Sequence, residues 1–286
     1  MTQPHELTLD VGGLSVAARR WGTVGTKPVL ALHGWLDNAA SFDRLAPLLP
    51  GVDLVAMDLP GHGRSQHRPI GATYHFVDWL VDVDRVLDAL GWSTATLLGH
   101  SLGAAIASVY AGALPERVEG LIAIDGLGPM SDDESAAPER LRDHLIERRR
   151  AARRRPTVFA DVPAAARRLC QVAAGLSQDS AEILSARGTA PCDGGVVWRA
   201  DPRLRGRSAW RSSEAQVHAL LQAVRCPTLL VWARQGYPFD VAQMQARAAL
   251  IAGLETLEVD GSHHVHLDAP ERLVERVRAF LARDAD

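Results

Sequence analysis

Lysine is almost absent from this chain: of 31 basic residues in 286, only Lys27 is lysine and the other 30 are arginine. Cysteine is scarce as well. Cys170, Cys192 and Cys226 are widely spaced and odd in number, which excludes a disulfide framework and a paired-cysteine metal site. Such usage suits a reducing cytoplasm. No stretch approaches the ~20 uninterrupted apolar residues that a spanning helix needs, and the opening MTQPHELTLD has no basic segment followed by an apolar one. These absences predict a soluble, unprocessed, cytoplasmic protein with no membrane partner.

What is present is apolar enough to fold without staples. At 47% hydrophobic and 23% charged residues, the chain buries about three quarters of its unfolded surface, as one large α/β domain with an insertion or as two small domains. The arginines are uneven. Between Ala136 and Ser212 there are 16 of them against eight acidic residues, so the remainder carries −11 of the net −3. No stacking aromatics interleave them and the whole protein is mildly acidic, which argues against nucleic acid as a partner. Glu139, Asp143 and Glu147 stand at spacings of four on the same expected helix, so a solvated face laced with salt bridges accounts for the run Arg148–Arg155. The other reading is a cationic pocket mouth that would steer an anionic substrate.

Short β-branched runs alternate with helical patterns, the signature of a mostly parallel sheet with helices on both faces. A hairpin around Gly12-Gly13 opens it, and strands are expected at Val29–Leu32, Asp53–Met57, Thr94–Leu98, Leu121–Ile124, Thr228–Trp232 and Thr256–Val259. Helices are expected at Ala39–Leu49, His75–Leu90, Leu102–Leu114 and Pro270 to about Ala282. From about Met130 to Arg225 the alternation breaks into helical stretches (Pro138–Arg155, Ala164–Ala174, Ser180–Arg187) with no core strand. This predicts a core of residues 1–129 and 226–286 with a helical lid of residues 130–225.

The strongest chemical signal is Gly99-His100-Ser101-Leu102-Gly103, a G-x-S-x-G between an apolar strand and a Gly/Ala-rich helix. That is the context of a nucleophile elbow, where a serine on a strained turn needs small residues two positions away on each side. A Gly-bracketed helix start with an incidental serine is the plain alternative. Serine is a poor nucleophile without a base. In Gly261-Ser262-His263-His264-Val265-His266, the loop position after the small residues favours His263, with His264 as its rival and His266 structural. An oxyanion hole needs backbone donors. The turn Leu32-His33-Gly34-Trp35 would supply the N–H of Trp35 beside that of Leu102, with His33 holding the loop and the Trp35 ring either walling a pocket or simply packing.

These motifs, in this order, resemble the α/β-hydrolase superfamily along nearly the whole chain. The HGW turn, MDLPGHGRS (Met57–Ser65), GHSLG and HHVHLDAPE carry the resemblance. HGWLDNAASFDRLAPLLP (His33–Pro50) and Arg187-Gly188-Thr189 look like the serine hydrolase-like protein group, in whose C-terminal H-x-V-H pattern the catalytic histidine falls on His263. The acid departs from the commonest pattern, because Gly236 stands where many relatives carry aspartate after the strand TLLVWA. A second solution known in the superfamily, a carboxylate ending the preceding sheet strand, falls on Asp125. Asp240 remains the alternative acid, and a turn or capping aspartate the plain reading of Asp125.

A serine at position 101 argues against epoxide hydrolases and haloalkane dehalogenases, whose nucleophile is a carboxylate. The resemblance implies a Ser101-His263-Asp125 hydrolase of carboxylic esters, with acyl-CoA thioesters or carbon–carbon bonds as the other acyl substrates. A ligand receptor without turnover is the alternative of another class. No GxxxxGK[ST], GxGxxG or HExxH occurs, so no cofactor and no metal are expected. The expected partner is a small-molecule ester or thioester, and a homodimer is left open.

Overall fold

Leu30 and Leu32 face one side of the central sheet, Val29 and Ala31 face the other, and all four are wholly buried. A strand that alternates between two covered faces reads as an unbroken apolar run, which is why the parallel strands were legible. The computed structural model describes residues 3–151, 156–173 and 175–283. The ten strands among these described residues are β1 (His5–Asp10), β2 (Ser15–Gly22), β3 (Lys27–Leu32), β4 (Val52–Met57), β5 (Ala95–His100), β6 (Val118–Ile124), β7 (Thr189–Cys192), β8 (Gly195–Trp198), β9 (Thr228–Gln235) and β10 (Glu255–Ser262). Eight form one sheet in the order β1-β2-β4-β3-β5-β6-β9-β10. Only β1 with β2 and β2 with β4 are antiparallel; every other neighbouring pair is parallel.

The helices of the described residues are α1 (Phe76–Ala89), α2 (Leu102–Ala113), α3 (Ala137–Ala151), α4 (Val162–Val172), α5 (Gln178–Gly188), α6 (Glu214–Gln222), α7 (Val241–Ala248), α8 (Val265–Asp268) and α9 (Val274–Leu281). On one face, α1, α2, α6 and α7 cover Leu30, Val55, Leu97 and Leu121; on the other, α9 and two short turns cover Val29, Leu54, Leu98 and Ile122. Each fully buried leucine contributes ~2 kcal/mol to holding these layers together. A small third core joins α4 and α5 to Leu267 of α8. No helix among the described residues is long and apolar enough to cross a membrane.

Three sequence expectations are corrected. Ala39–Leu49 is two 3-10 turns, Ala39–Phe42 and Ala46–Leu48, because Pro47 lacks the N–H that a continuing helix would use. The last helix is likewise split into a 3-10 turn at Pro270–Arg272 and α9, which starts at Val274. Within 130–225 no strand among the described residues joins the main sheet, as expected; the departure is that β7 and β8 form a separate antiparallel hairpin in a segment read as helical. Residues 152–155, the end of the expected lid helix, and Ala174 lie outside the described residues.

Candidate active site

After β3 the chain continues to β4 on one side, whereas β5, β6, β9 and β10 follow on the other, so the order reverses between β3 and β5. Crevices at such a reversal, beyond the carboxyl ends of the strands, are where open α/β sheets bind ligands. Trp35 follows β3, Ser101 follows β5, Asp125 follows β6 and His263 follows β10, so all the expected site residues stand at this end.

Ser101 separates β5 from α2 at φ 51°, ψ −112°. The flanking glycines explain how so tight a turn closes. A Cβ on Gly103 would sit 1.9 Å from the carbonyl oxygen of Leu32, and one on Gly99 2.5 Å from the Ala104 backbone. Leu102 is the first residue of α2, so its N–H has no acceptor one turn back. The Trp35 N–H donates to no group among the described residues. The Trp35 ring is 51% exposed and its Nε1–H donates to the carbonyl of Leu204, in the segment inserted between β6 and β9.

Asp125 is fully buried, and its Oδ2 lies 2.5 Å from Nδ1 of His263. The same oxygen accepts from the Tyr237 N–H at 2.9 Å, and Oδ1 accepts from the Ala233 N–H at 3.3 Å. Three donors thus fix a carboxylate whose own N–H continues the ladder to Val231. Asp240 is elsewhere: it caps α7, accepting from the Gln243 N–H. His264 also turns away, its Nε2–H donating to Asp37 Oδ2 at 3.1 Å. The structure therefore brings His263 and Asp125 together and does not bring Asp240 to either histidine. His33 accepts from the Leu59 N–H through Nε2, and His266 meets Ser41 Oγ at 2.7 Å, both wholly buried.

Among the described residues, three that are not glycine adopt positive φ: Leu36 (65°), Ser101 (51°) and Asp125 (45°). Backbone strain of this kind persists only where surrounding structure fixes it, and it collects at functional sites. All three follow strands of the main sheet, β3, β5 and β6, at this same end.

Sequence reasoning missed two buried clusters. Asp37, His100 and His264 bring ligand-type atoms within 4.8 Å of one another. Burial pushes the His100 imidazole down to about 4. Burial also opposes a charged Asp37, yet the facing histidines hold its carboxyl well below the usual range. His264 is raised, because Asp37 outweighs the burial that disfavours its charged form. The second cluster surrounds an arginine outside the run Arg148–Arg155. Arg187, at the end of α5, is 1% exposed: Nε donates to both Asp58 oxygens at 3.0 Å and Nη1 to both Glu6 oxygens at 2.8 Å. On α3, Asp143 accepts from the Arg207 guanidinium and Glu147 from the Arg207 N–H, so these two acids bond to an arginine outside the helix; Arg153, Arg154 and Arg155 of the run lie outside the described residues. A cavity of about 280 Å³ lined by Asp132, Arg140, Trp210 and Arg211 lies beside α3, and none of Ser101, His263 and Asp125 lines it.

With this geometry, comparison with known proteins is direct. The model of the alpha/beta hydrolase fold matches residues 27–270, and the chain belongs to that family. Within it, the chain is similar to serine hydrolase-like protein 2 of Homo sapiens, 34% identical over 96% of this chain and 93% of the relative. It is also similar to a serine hydrolase-like protein of Dictyostelium discoideum, 31% identical over 99% of this chain and 83% of the relative. Among solved structures, a hypothetical protein of Pseudomonas aeruginosa superposes with a TM-score of 0.93 at 39% identity, covering 99% of each chain. The thioesterase domain from the curacin biosynthetic pathway superposes at 0.85 with 28% identity, covering 99% of this chain and all of that one.

Proposed function

We propose that the protein is a serine hydrolase that cleaves carboxylic esters of small or medium acyl groups through an acyl-enzyme. The observation that carries this reading is the 2.5 Å contact between His263 Nδ1 and buried Asp125, at the same end of the sheet as Ser101 on its strained turn. An Nδ1–H donated to Asp125 leaves Nε2 as the free base, the tautomer that can accept the serine proton.

In this mechanism Ser101 Oγ attacks the ester carbonyl carbon as His263 Nε2 takes its proton, and the Asp125 carboxylate stabilises the resulting imidazolium. The carbonyl oxygen becomes the oxyanion, held by the N–H groups of Trp35 and Leu102; donors of this kind are each worth ~3 kcal/mol in the transition state. Collapse breaks the acyl–oxygen bond, and His263 returns the proton to the departing alcohol. Water then attacks the acyl-serine with His263 as base, releasing the acid and restoring Ser101. No step needs a cofactor or metal.

Residues 130–225 act in this reading as a lid on the core of residues 1–129 and 226–286. Two contacts support that role: Trp35 to Leu204 beside the oxyanion turn, and Arg187 to Asp58 and Glu6. A thioester substrate is the second reading, favoured by the likeness to a thioesterase domain along the whole chain. The partner proposed is accordingly a small-molecule ester or thioester.

A fluorophosphonate probe tests the nucleophile. Labelling that disappears in Ser101→Ala, together with hydrolysis of p-nitrophenyl acetate that disappears with it, is expected. Absence of Ser101-dependent labelling in folded protein would favour a ligand-binding protein without turnover. Esters of rising chain length beside acyl-CoA thioesters then separate the two substrate readings by kcat/KM.

A further inference from the structure

Two of the three strained residues carry reacting side chains in the proposed mechanism; the third, Leu36, does not. It lies in the turn after β3, between Trp35, an oxyanion donor, and Asp37. A leucine at φ 65° needs something to hold it there. The Asp37 N–H donates to the Gly34 carbonyl at 3.1 Å, closing the turn locally. Its carboxylate reaches much further along the chain.

Asp37 Oδ2 accepts from Nε2–H of His264, the neighbour of the proposed base, at 3.1 Å. The same oxygen stands 3.6 Å from Nδ1 of His100, the neighbour of the proposed nucleophile. His100 in turn donates through Nε2–H to the backbone carbonyl of His263 at 2.8 Å. Asp37 therefore reaches the base loop directly through His264, while His100, which bonds the His263 carbonyl, packs against the same carboxylate without a hydrogen bond to it. Gly34 presses on it: a Cβ there would lie 2.9 Å from His100 Nδ1 and 3.0 Å from Asp37 Oδ2. Asp37, His100 and His264 are all buried, so water competes little for these bonds.

We propose that Asp37 is a positioning residue, which holds the oxyanion turn and the base loop in one register by binding His264 and facing His100. It touches no reacting atom; it acts through the backbone of His263 and the turn that bears Trp35. This rests on the assignment of Ser101, His263 and Asp125 above, and the test separates the two.

The test compares Asp37→Ala and Asp37→Ser, which withdraw the acceptor from His264, with Asp37→Asn, whose amide oxygen can still accept. Two quantities are read: kcat on p-nitrophenyl acetate per active site titrated with a fluorophosphonate, and the low-field NMR proton between His263 Nδ1 and Asp125, assigned by its loss in His263→Gln. In Asp37→Ala and Asp37→Ser, kcat per titrated site is expected to fall about 10- to 100-fold with KM within about twofold, as for a misplacement of order 1 Å, and the low-field proton to broaden into exchange. Asp37→Asn is expected to restore the proton and bring kcat within about threefold of wild type. A lower melting temperature with per-site kcat and proton unchanged would overturn the proposal, as would Asp37→Asn behaving like Asp37→Ala. If wild type is not labelled at Ser101, the hydrolase reading fails, while the proton alone still decides whether Asp37 positions His263.

Discussion

The carboxylate of Asp125 fills the volume that a side chain on Gly236 would take: a Cβ built there would lie 2.3 Å from Asp125 Oδ2. An acid at the end of β6 and a glycine beyond β9 therefore go together, since the two positions compete for one space beside His263. Gly236→Ala is expected to push the Asp125 carboxylate off the imidazole and lower kcat on p-nitrophenyl acetate about 100-fold, with a smaller change in KM. An alanine variant with wild-type kcat would mean that this hydrogen bond does not govern the base.

Exchange of each acid for its amide distinguishes the two carboxylates. Asp125→Asn should present an N–H to His263, stabilise the wrong tautomer and cost roughly 10³- to 10⁴-fold in kcat. Asp240→Asn should stay within about twofold, because its amide oxygen can still cap α7 at the Gln243 N–H. Kinetics of the two variants at one pH suffice, and the opposite order would make Asp240 the acid.

Arg187 anchors the inserted segment rather than decorating it. Its guanidinium is shared between Asp58, which is wholly buried, and Glu6, which is 43% exposed. Asp58 also accepts from the Ala39 and Arg64 N–H groups, so one carboxylate gathers three stretches of chain. Removing the arginine leaves Asp58 buried without its cation, and Arg187→Met is expected to cost about 3–5 kcal/mol in urea unfolding. Glu6→Gln, at the solvent side, should cost about 1 kcal/mol or less. Equal losses in the two variants would contradict this ranking.

Legibility followed the range of the interactions. The strands, the tight turn at Ser101 and the hairpin were readable because apolar runs and flanking glycines act within a few residues. Asp125 and Asp240 could not be separated from sequence, because that choice depends on how the turn at Gly236 meets the end of β6. Arg187 was legible only as part of the motif Arg187-Gly188-Thr189 that carried the resemblance; its ion pairs were not legible, since its partners Asp58 and Glu6 lie 129 and 181 positions away. Asp37 and His100 were passed over for the same reason. A buried partner leaves no periodic trace, although both stand inside the motifs HGWLDN and GHSLG that carried the resemblance.

Acid should loosen the fold in a direction set by its buried histidines. Burial pushes His62 down to about 3 and His100 down to about 4, holds His266 well below its ordinary value and lowers His33, so these imidazoles stay neutral in the folded protein. In the unfolded chain they take up protons near 6.5. The unfolded state thus binds more protons below that pH, and stability is lost as pH falls from 6.5 towards 4, by ~2 kcal/mol at pH 5 for His62 and for His100. His264 has the opposite sign: its pKa is raised, so its contribution is full below 6.5 and is lost as pH rises through the raised value. Among these histidines one opposes several, so their summed slope is destabilising towards acid. Urea unfolding at pH 7.5 and pH 5 checks it, with His100→Gln as the comparison, since the glutamine amide can still donate to the His263 carbonyl. The loss of stability between the two pH values should be ~2 kcal/mol smaller in His100→Gln than in wild type; an equal loss in both would mean that His100 does not stay neutral in the folded state.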